Sequence, residues 1–454
     1  AGEEFAPEEI IEGLKKGVAS GEICPVFAGI QQTGAAVPLM VDTLLKILPS
    51  AADAVCRFEG GEEKAFDENG ENALFVFKTI ADPFVGKLSY FRVLSGKIKN
   101  DSRLINNRTG AEERLSKIMW LKGGKQEDAG EIIAGDIGSV SKLGNVLTGD
   151  TLSASGKLAA AAVEFPAPTI SVAVYPKAKG DEEKITQAFS RLCEEDPTIK
   201  VYTDNETHEQ ILSALGEQHI DVIISRLKSK FGAEVELKKP KIAYRETIRK
   251  PIKIQGRHKK QSGGHGQFGD VWIEFEPCDS DELVFEEKVF GGAVPKNFFP
   301  AVEKGLRDCT AKGVLAGYPM VGIKATLVDG SYHPVDSSEM SFKMAAAVAF
   351  KDGIPQASPV LLEPIGTLKV LVPDEMLGDV IGDINKRRGR IIGMNPAENK
   401  MQEIIGEVPM AEMSDFSTAM RSITQGTAVF TLTPTRYEEV PAALAQKIID
   451  AAKE

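Results

Sequence analysis

Two loops hold the residue types that would contact a polyanion. The first, Gln261-Ser262-Gly263-Gly264-His265-Gly266-Gln267-Phe268-Gly269, sets four glycines in seven residues beside Gln, His and Phe. Glycine lets a backbone approach a partner closely. Gln and His supply hydrogen bonds, and Phe268 offers a stacking face. The loop ends a basic run in which Arg249, Lys250, Lys253, Arg257, Lys259 and Lys260 occur with no Asp or Glu before Gln267. Such a loop suits RNA, whose recognition uses backbone contacts and stacking; an ordinary hairpin connection is the alternative. The second loop runs from Asp329 to Glu339. It is predicted to turn at Asp329-Gly330 and then to open a helix, with Ser337 or Asp336 as N-cap and Glu339 in the first turn. His333 would stand exposed just before that helix; a loop histidine without a role is the alternative. A second basic cluster is Lys386, Arg387, Arg388 and Arg390, for which a solvated face is the plain reading.

Catalytic chemistry finds no support. No Gly-x-x-x-x-Gly-Lys-Ser/Thr string is present to cradle phosphates. Asp379-Val380-Ile381-Gly382 matches a bare Asp-x-x-Gly but falls inside a predicted helix, and Asn385-Lys386-Arg387-Arg388 fails as a guanine reader. The five histidines, His208, His219, His258, His265 and His333, show no metal-ligand spacing. No Gly-x-Ser-x-Gly elbow appears. Five scattered cysteines without a CxxC pair argue against a disulfide framework or a zinc site and suit a reducing cytosol. A net charge of −12 argues against nucleic acid only if the charge is spread evenly, and here an acidic chain carries concentrated basic clusters. The most apolar stretches, such as Met344 to Phe350, are too short to span a membrane. The N-terminus is acidic, lacks Met and has no signal-peptide pattern, so it reads as trimmed or processed.

The elements that must position these loops belong to several domains, since the chain has 454 residues. Helices are predicted at Pro7 to Gly17 and Val37 to Leu48, with a buried strand at Ile23 to Phe27 between them; residues 1–50 read as the tail of an α/β unit. The stretch 51–71 reads as a linker. Short β-rich runs punctuated by Gly, Asn and Asp between 72 and 155 suggest a small β-barrel. Residues 167–241 run strand, helix, strand, strand, helix, strand, the split βαβ or ferredoxin-like order. The same order recurs within 361–454, from strand Leu368–Val372 to strand Ala428–Thr433, with a C-terminal helix after it. Between them, residues 242–360 are of different α/β character. The fold class is multidomain α+β.

Several long strings place the chain close to a known family. Ile80 to Gly86, Leu88 to Gly96, Glu194 to Thr198, Ala243 to Ile248, Gln261 to Gly269, Leu315 to Pro319, Leu327 to Glu339, Pro359 to Ile365, Gly378 to Asp383 and Arg387 to Ile391 resemble elongation factor G, in the family's order. The resemblance implies a remnant of the G domain (1–50), a β-barrel domain II, ferredoxin-like domains III and V, and an elongated domain IV arm that enters the decoding region. It implies a cytoplasmic, monomeric translational GTPase that promotes translocation. Its partners would be the ribosome, through rRNA of both subunits including the GTPase-associated region, and the tRNA–mRNA complex. The arm's end would consist of the two loops. Gly263, Gly264, His265, Gln267 and His333 are then expected to contact RNA, and Arg257, Lys259, Lys260, Lys386, Arg387 and Arg388 to form basic RNA-binding patches. GTP and Mg would serve the intact family member; this chain, without its nucleotide-binding motifs, is expected neither to bind them nor to hydrolyse GTP alone.

The sequence also departs from the family pattern. Gly29-Ile30 stands where the family has a guanine-contacting Ser-Ala, and Ala214 to Ile220 replaces Gly-Met-Gly-Glu-Leu-His-Leu. His265 stands where Arg is usual, and Pro334 where a charged residue is usual. The form from Gly263 to Trp272 is similar to second, elongation factor G-like paralogues. A recycling or ribosome-protection factor, or an rRNA-binding module without a G domain, are the alternative functions.

Overall fold

A computed structural model describes residues 5–82, 86–123, 125–261 and 266–453. These described residues divide into two compact units, one within 1–166, 178–199 and 223–234, the other within 167–177, 200–222 and 235–454.

In the first unit, helices span Pro7–Ser20 and Val37–Ile47. The strand expected at Ile23 to Phe27 does not form. Pro25 has no N–H for a ladder, and Val26 is 91% exposed with no sheet to bury it. The supposed linker 51–71 contains a small ladder, Val55–Arg57 against Glu63–Ala65. Cys56 in this ladder and Phe58 just after it are buried with Ala73 and Leu94, with Phe66, Phe75, Leu158 and Ala160 packed against them. An eight-stranded antiparallel sheet curls around the main core. Its order is Glu112–Leu115, Ser102–Asn106, Thr151–Ser153, Ala73–Asp82, Gly86–Ser95, Ile137–Ser141, Ile118–Lys122, Lys125–Asp128. Alternating positions such as Phe91 and Val93 point inward and are fully buried.

In the second unit, strands Ile170–Pro176, Lys200–Thr203, Gln210–Ala214 and Val235–Lys238 lie in the order second, third, first, fourth. Strands Pro359–Pro373, Arg390–Ala397, Met401–Pro409 and Val429–Glu439 repeat that order. Both sheets are antiparallel, the topology expected of split βαβ units.

Between them the chain builds a separate layer pair. Strands β1 (Ile252–Lys260), β2 (Gln267–Pro277), β3 (Val284–Glu287) and β4 (Ile323–Ser331) form one sheet in the order β1-β2-β4-β3. Helix α1 (Phe299–Thr310) lies between β3 and β4 in the chain, and α2 (Glu339–Gly353) follows β4. The sheet's inner face, Val271, Ile273 and Phe275, shares a core with Phe342, Ala345, Ala346, Ala349 and Phe350 of α2. The small residues of α2 let the sheet backbone come close. A methyl on Gly256 would strike the Ala345 carbonyl and one on Gly269 the Ser341 carbonyl. Asp329 and Gly330, expected in a turn, extend β4 and pair with Trp272 and Val271. The helix cap is Ser338, whose Oγ accepts the Ser341 N–H at 3.2 Å, rather than Ser337 or Asp336.

The strand Arg245–Ile248 leading into this layer pair lies antiparallel to the strand leading out, with Ile248 opposite Pro359 and Arg245 opposite Leu362.

Candidate nucleic-acid interface

β1 and β2 stay paired from Ile252 opposite Phe275 to Lys260 opposite Gln267. β4 lies along β2 with Ser331 opposite Asp270. The chain ends after β1 and after β4 therefore emerge at the same end of the sheet, and the two loops meet there.

Asp336 joins them. Its Oδ1 accepts the Gly266 N–H at 2.9 Å, and its backbone carbonyl accepts the Phe268 N–H at 2.9 Å. The Ser337 hydroxyl donates to the Phe268 carbonyl at 2.9 Å and accepts the His333 N–H at 2.8 Å. A methyl on Gly266 would lie 3.0 Å from the Asp336 carboxyl carbon, so glycine is what lets the first loop seat here. His333 is half exposed, with 53% of its side chain accessible. Gln267 is exposed, its Oε1 3.0 Å from His258 Nε2. Gly263, Gly264 and His265 lie outside the described residues.

The basic run divides along the sheet. Lys253 is paired with Glu274 at 3.2 Å, and Arg249 with Glu439. Arg257, Lys259 and Lys260 are exposed without an ion pair among the described residues, and the Arg257 guanidinium lies 5.5 Å from the Phe268 ring centroid. Positive charge thus remains unneutralised beside the joined loops, where a phosphate would find it.

The second basic cluster is arranged differently from the phosphate-facing patch expected from sequence. Arg387 is buried. It donates through Nε to Asp383 at 2.7 Å, and through Nη1 to Asp415 and to the Glu412 carbonyl, each at 2.6 Å. The Arg387 guanidinium in turn holds the Asp415 carboxyl below its usual range. Arg388 places both Nη atoms on the Glu363 carboxylate at 2.7 Å and its Nε 3.1 Å from Glu412. Its backbone sits at φ 62°, a region uncommon for non-glycine residues. Both guanidinium groups have carboxylate partners within the same sheet-and-helix domain, and Lys386 is exposed beside them.

Sequence reasoning missed Asp336, Ser337 and Gly266 as the joint between the loops, because no local period links positions about seventy apart. It also gave no reason for the string Leu315 to Pro319. That string wraps a fully buried carboxylate. Glu246 accepts N–H groups from Leu315 at 2.8 Å, Ala316 at 2.9 Å and Tyr318 at 3.1 Å. The neighbouring Tyr244 phenol is pushed up to about 12 by burial, with Glu363 adding to it.

Four sequence-family profiles match the chain. They are described as Elongation factor G domain 2 over residues 71–155, Elongation Factor G domain III over 165–239, Elongation factor G domain IV over 240–358, and Elongation factor G C-terminus over 360–448. A crystal structure of a protein from Thermus thermophilus is similar, with a TM-score of 0.76 and 36% sequence identity. That match covers 100% of this chain and 66% of the Thermus protein, so the chain spans 66% of that protein's length.

Proposed function

The chain belongs to the elongation factor G family, and on that premise we propose that it is the ribosome-engaging body of a translational GTPase that promotes GTP-dependent translocation of tRNA and mRNA. The observation that carries the proposal is the joined pair of loops at one end of the β1–β2–β4 sheet, with Arg257, Lys259 and Lys260 beside it and in no ion pair among the described residues. A firm protein arm ending in polar loops can occupy the decoding region once tRNA and mRNA have moved, and so oppose their return. Arg257, Lys259 and Lys260 would meet phosphates and set the arm's position without reading sequence. Gln267 and His333, with Gly263, Gly264 and His265, would make the closer contacts. Lys386 would add a phosphate contact on the last domain, while Arg387 and Arg388 hold that domain together. The sequence offers no phosphate-cradling loop for GTP and Mg, so no step of hydrolysis is assigned to these residues.

Ribosome cosedimentation at two salt concentrations tests this reading. Binding that weakens as salt rises is expected. The double variant His333→Ala with Gln267→Ala should bind about a hundredfold more weakly, two good hydrogen bonds at about tenfold each. Wild-type protein that fails to sediment with ribosomes even at low salt would overturn it.

A further inference from the structure

The two ring nitrogens of His333 have unequal surroundings. Nδ1 faces the N–H groups of Asp336 at 3.2 Å and Val335 at 3.4 Å, and Asp336 Oδ2 at 3.4 Å. Nε2 makes no hydrogen bond among the described residues. A neutral imidazole whose Nδ1 accepts those N–H groups must carry its hydrogen on Nε2. A protonated imidazole carries hydrogen on both nitrogens, and Nδ1–H then donates to Asp336 Oδ2. In either state Nε2–H has no acceptor among the described residues. The other oxygen of the same carboxylate holds the Gly266 N–H at 2.9 Å, which ties this donor to the first loop.

We propose that the backbone N–H groups of Val335 and Asp336 position His333 as a fixed Nε2–H donor for an oxygen acceptor on RNA, a phosphate or ribose oxygen. The partner in this inference rests on the RNA-binding reading above; the tautomer rests on the geometry alone. Asp336 touches no partner itself. Its N–H, with that of Val335, fixes which nitrogen of a neutral His333 carries the donated hydrogen, and its carboxylate ties the turn that holds the ring to the first loop. The sequence gives Asp336 no such role, because an aspartate three residues after a histidine in a loop reads equally well as a helix cap.

The test combines imidazole nitrogen NMR on the whole chain with ribosome cosedimentation. The wild-type His333 ring, when neutral, should be the Nε2–H tautomer, and Asp336→Ala, which keeps both backbone N–H groups, should leave it so. Asp336→Asn should keep the wild-type tautomer and affinity, since its amide can accept from Gly266 and donate to Nδ1. His333→Gln places an amide donor where Nε2 lies and should bind within about twofold of wild type. His333→Asn reaches only the Nδ1 position and should bind about tenfold more weakly, as should Asp336→Ala. A neutral wild-type ring found with its hydrogen on Nδ1 overturns the positioning role. Equal binding by the Gln and Asn variants overturns the donor role, and leaves the ribosome-binding reading intact if the wild type still binds. A wild type that does not bind at all sinks the RNA partner along with that reading.

Discussion

Asp150 shows how a single buried carboxylate can be read for its pH behaviour. Only 5% of its side chain is exposed. It receives Arg108 Nε at 2.7 Å and Nη2 at 2.9 Å, the Asn106 amide at 2.7 Å and the Leu147 N–H at 2.9 Å. Burial pushes this carboxyl up, but Arg108, Leu147 and Asn106 more than offset it and hold it below the usual carboxylate range. A depressed folded-state pKa means the stabilisation is complete above the unfolded value of about 4 and is lost as pH falls through the folded value. Asp150→Asn should therefore destabilise the eight-stranded sheet by about 3 kcal/mol near neutral pH. The difference from wild type, followed by urea unfolding, should shrink as pH is lowered past about 4. A constant difference down to acid pH would show that the ionised form is not what the site holds. At this scale the sequence was partly legible. Gln267 and His333 stand out because polar residues in glycine-rich or helix-leading loops have few structural duties. Asp150 does not stand out and Asp336 does so only as a candidate helix cap, since Asn106 and Arg108 for the one and Gly266 for the other lie far along the chain.

Among the elements, the contact between the β1–β2 hairpin and α2 depends on two glycines. Gly256 and Gly269 lie directly against helix carbonyls, whereas Gly382, within the helix Leu377–Lys386, meets nothing within 4 Å. The Ala substitutions should therefore have opposite signs. Gly256→Ala and Gly269→Ala should each cost about 3 kcal/mol by forcing strand and helix apart. Gly382→Ala should stabilise by about 0.5–1 kcal/mol through helix propensity. Hydrogen exchange of the α2 amides, and of the Leu377–Lys386 amides, reads each effect separately; a harmless Gly256→Ala would mean the strand is not seated on the helix as described. Periodicity found most strands and helices because their apolar positions repeat locally. It failed where a local signal had a second meaning. Asp329-Gly330, a turn pair by composition, is held in β4 by the β2 ladder. The glycines near 60 and 61, read as linker, make the tight connection of a short hairpin, each at φ 83°. The helices Leu377–Lys386 and Phe416–Ile423 are each preceded by a 3-10 turn, at Asp374–Met376 and Met410–Glu412.

Across the whole chain, the twofold use of one sheet order was legible in the order of predicted elements, since each split βαβ unit is written consecutively. The closure of the arm was not, because it pairs residues more than a hundred positions apart. Arg245–Ile248 and Pro359–Leu362 face one another across an antiparallel ladder, and everything from 249 to 358 issues from and returns to that one place. Such an arrangement is a cassette. Its two connections are already adjacent, so removing it should cost the remaining sheet little loop-closure entropy. Two obstacles are Glu246, whose carboxylate would lose these three donors, and Ile248, which is buried in the core of the arm. A chain in which residues 249–358 give way to an Asn-Gly turn, with Glu246→Thr, should keep the sheet of Pro359–Pro373, Arg390–Ala397, Met401–Pro409 and Val429–Glu439 folded. Amide exchange in those strands would report it, and general loss of protection would show that the arm is structural support for the sheet. If the sheet survives, arms of different length or surface could be exchanged at this neck, as tools are exchanged in a common handle.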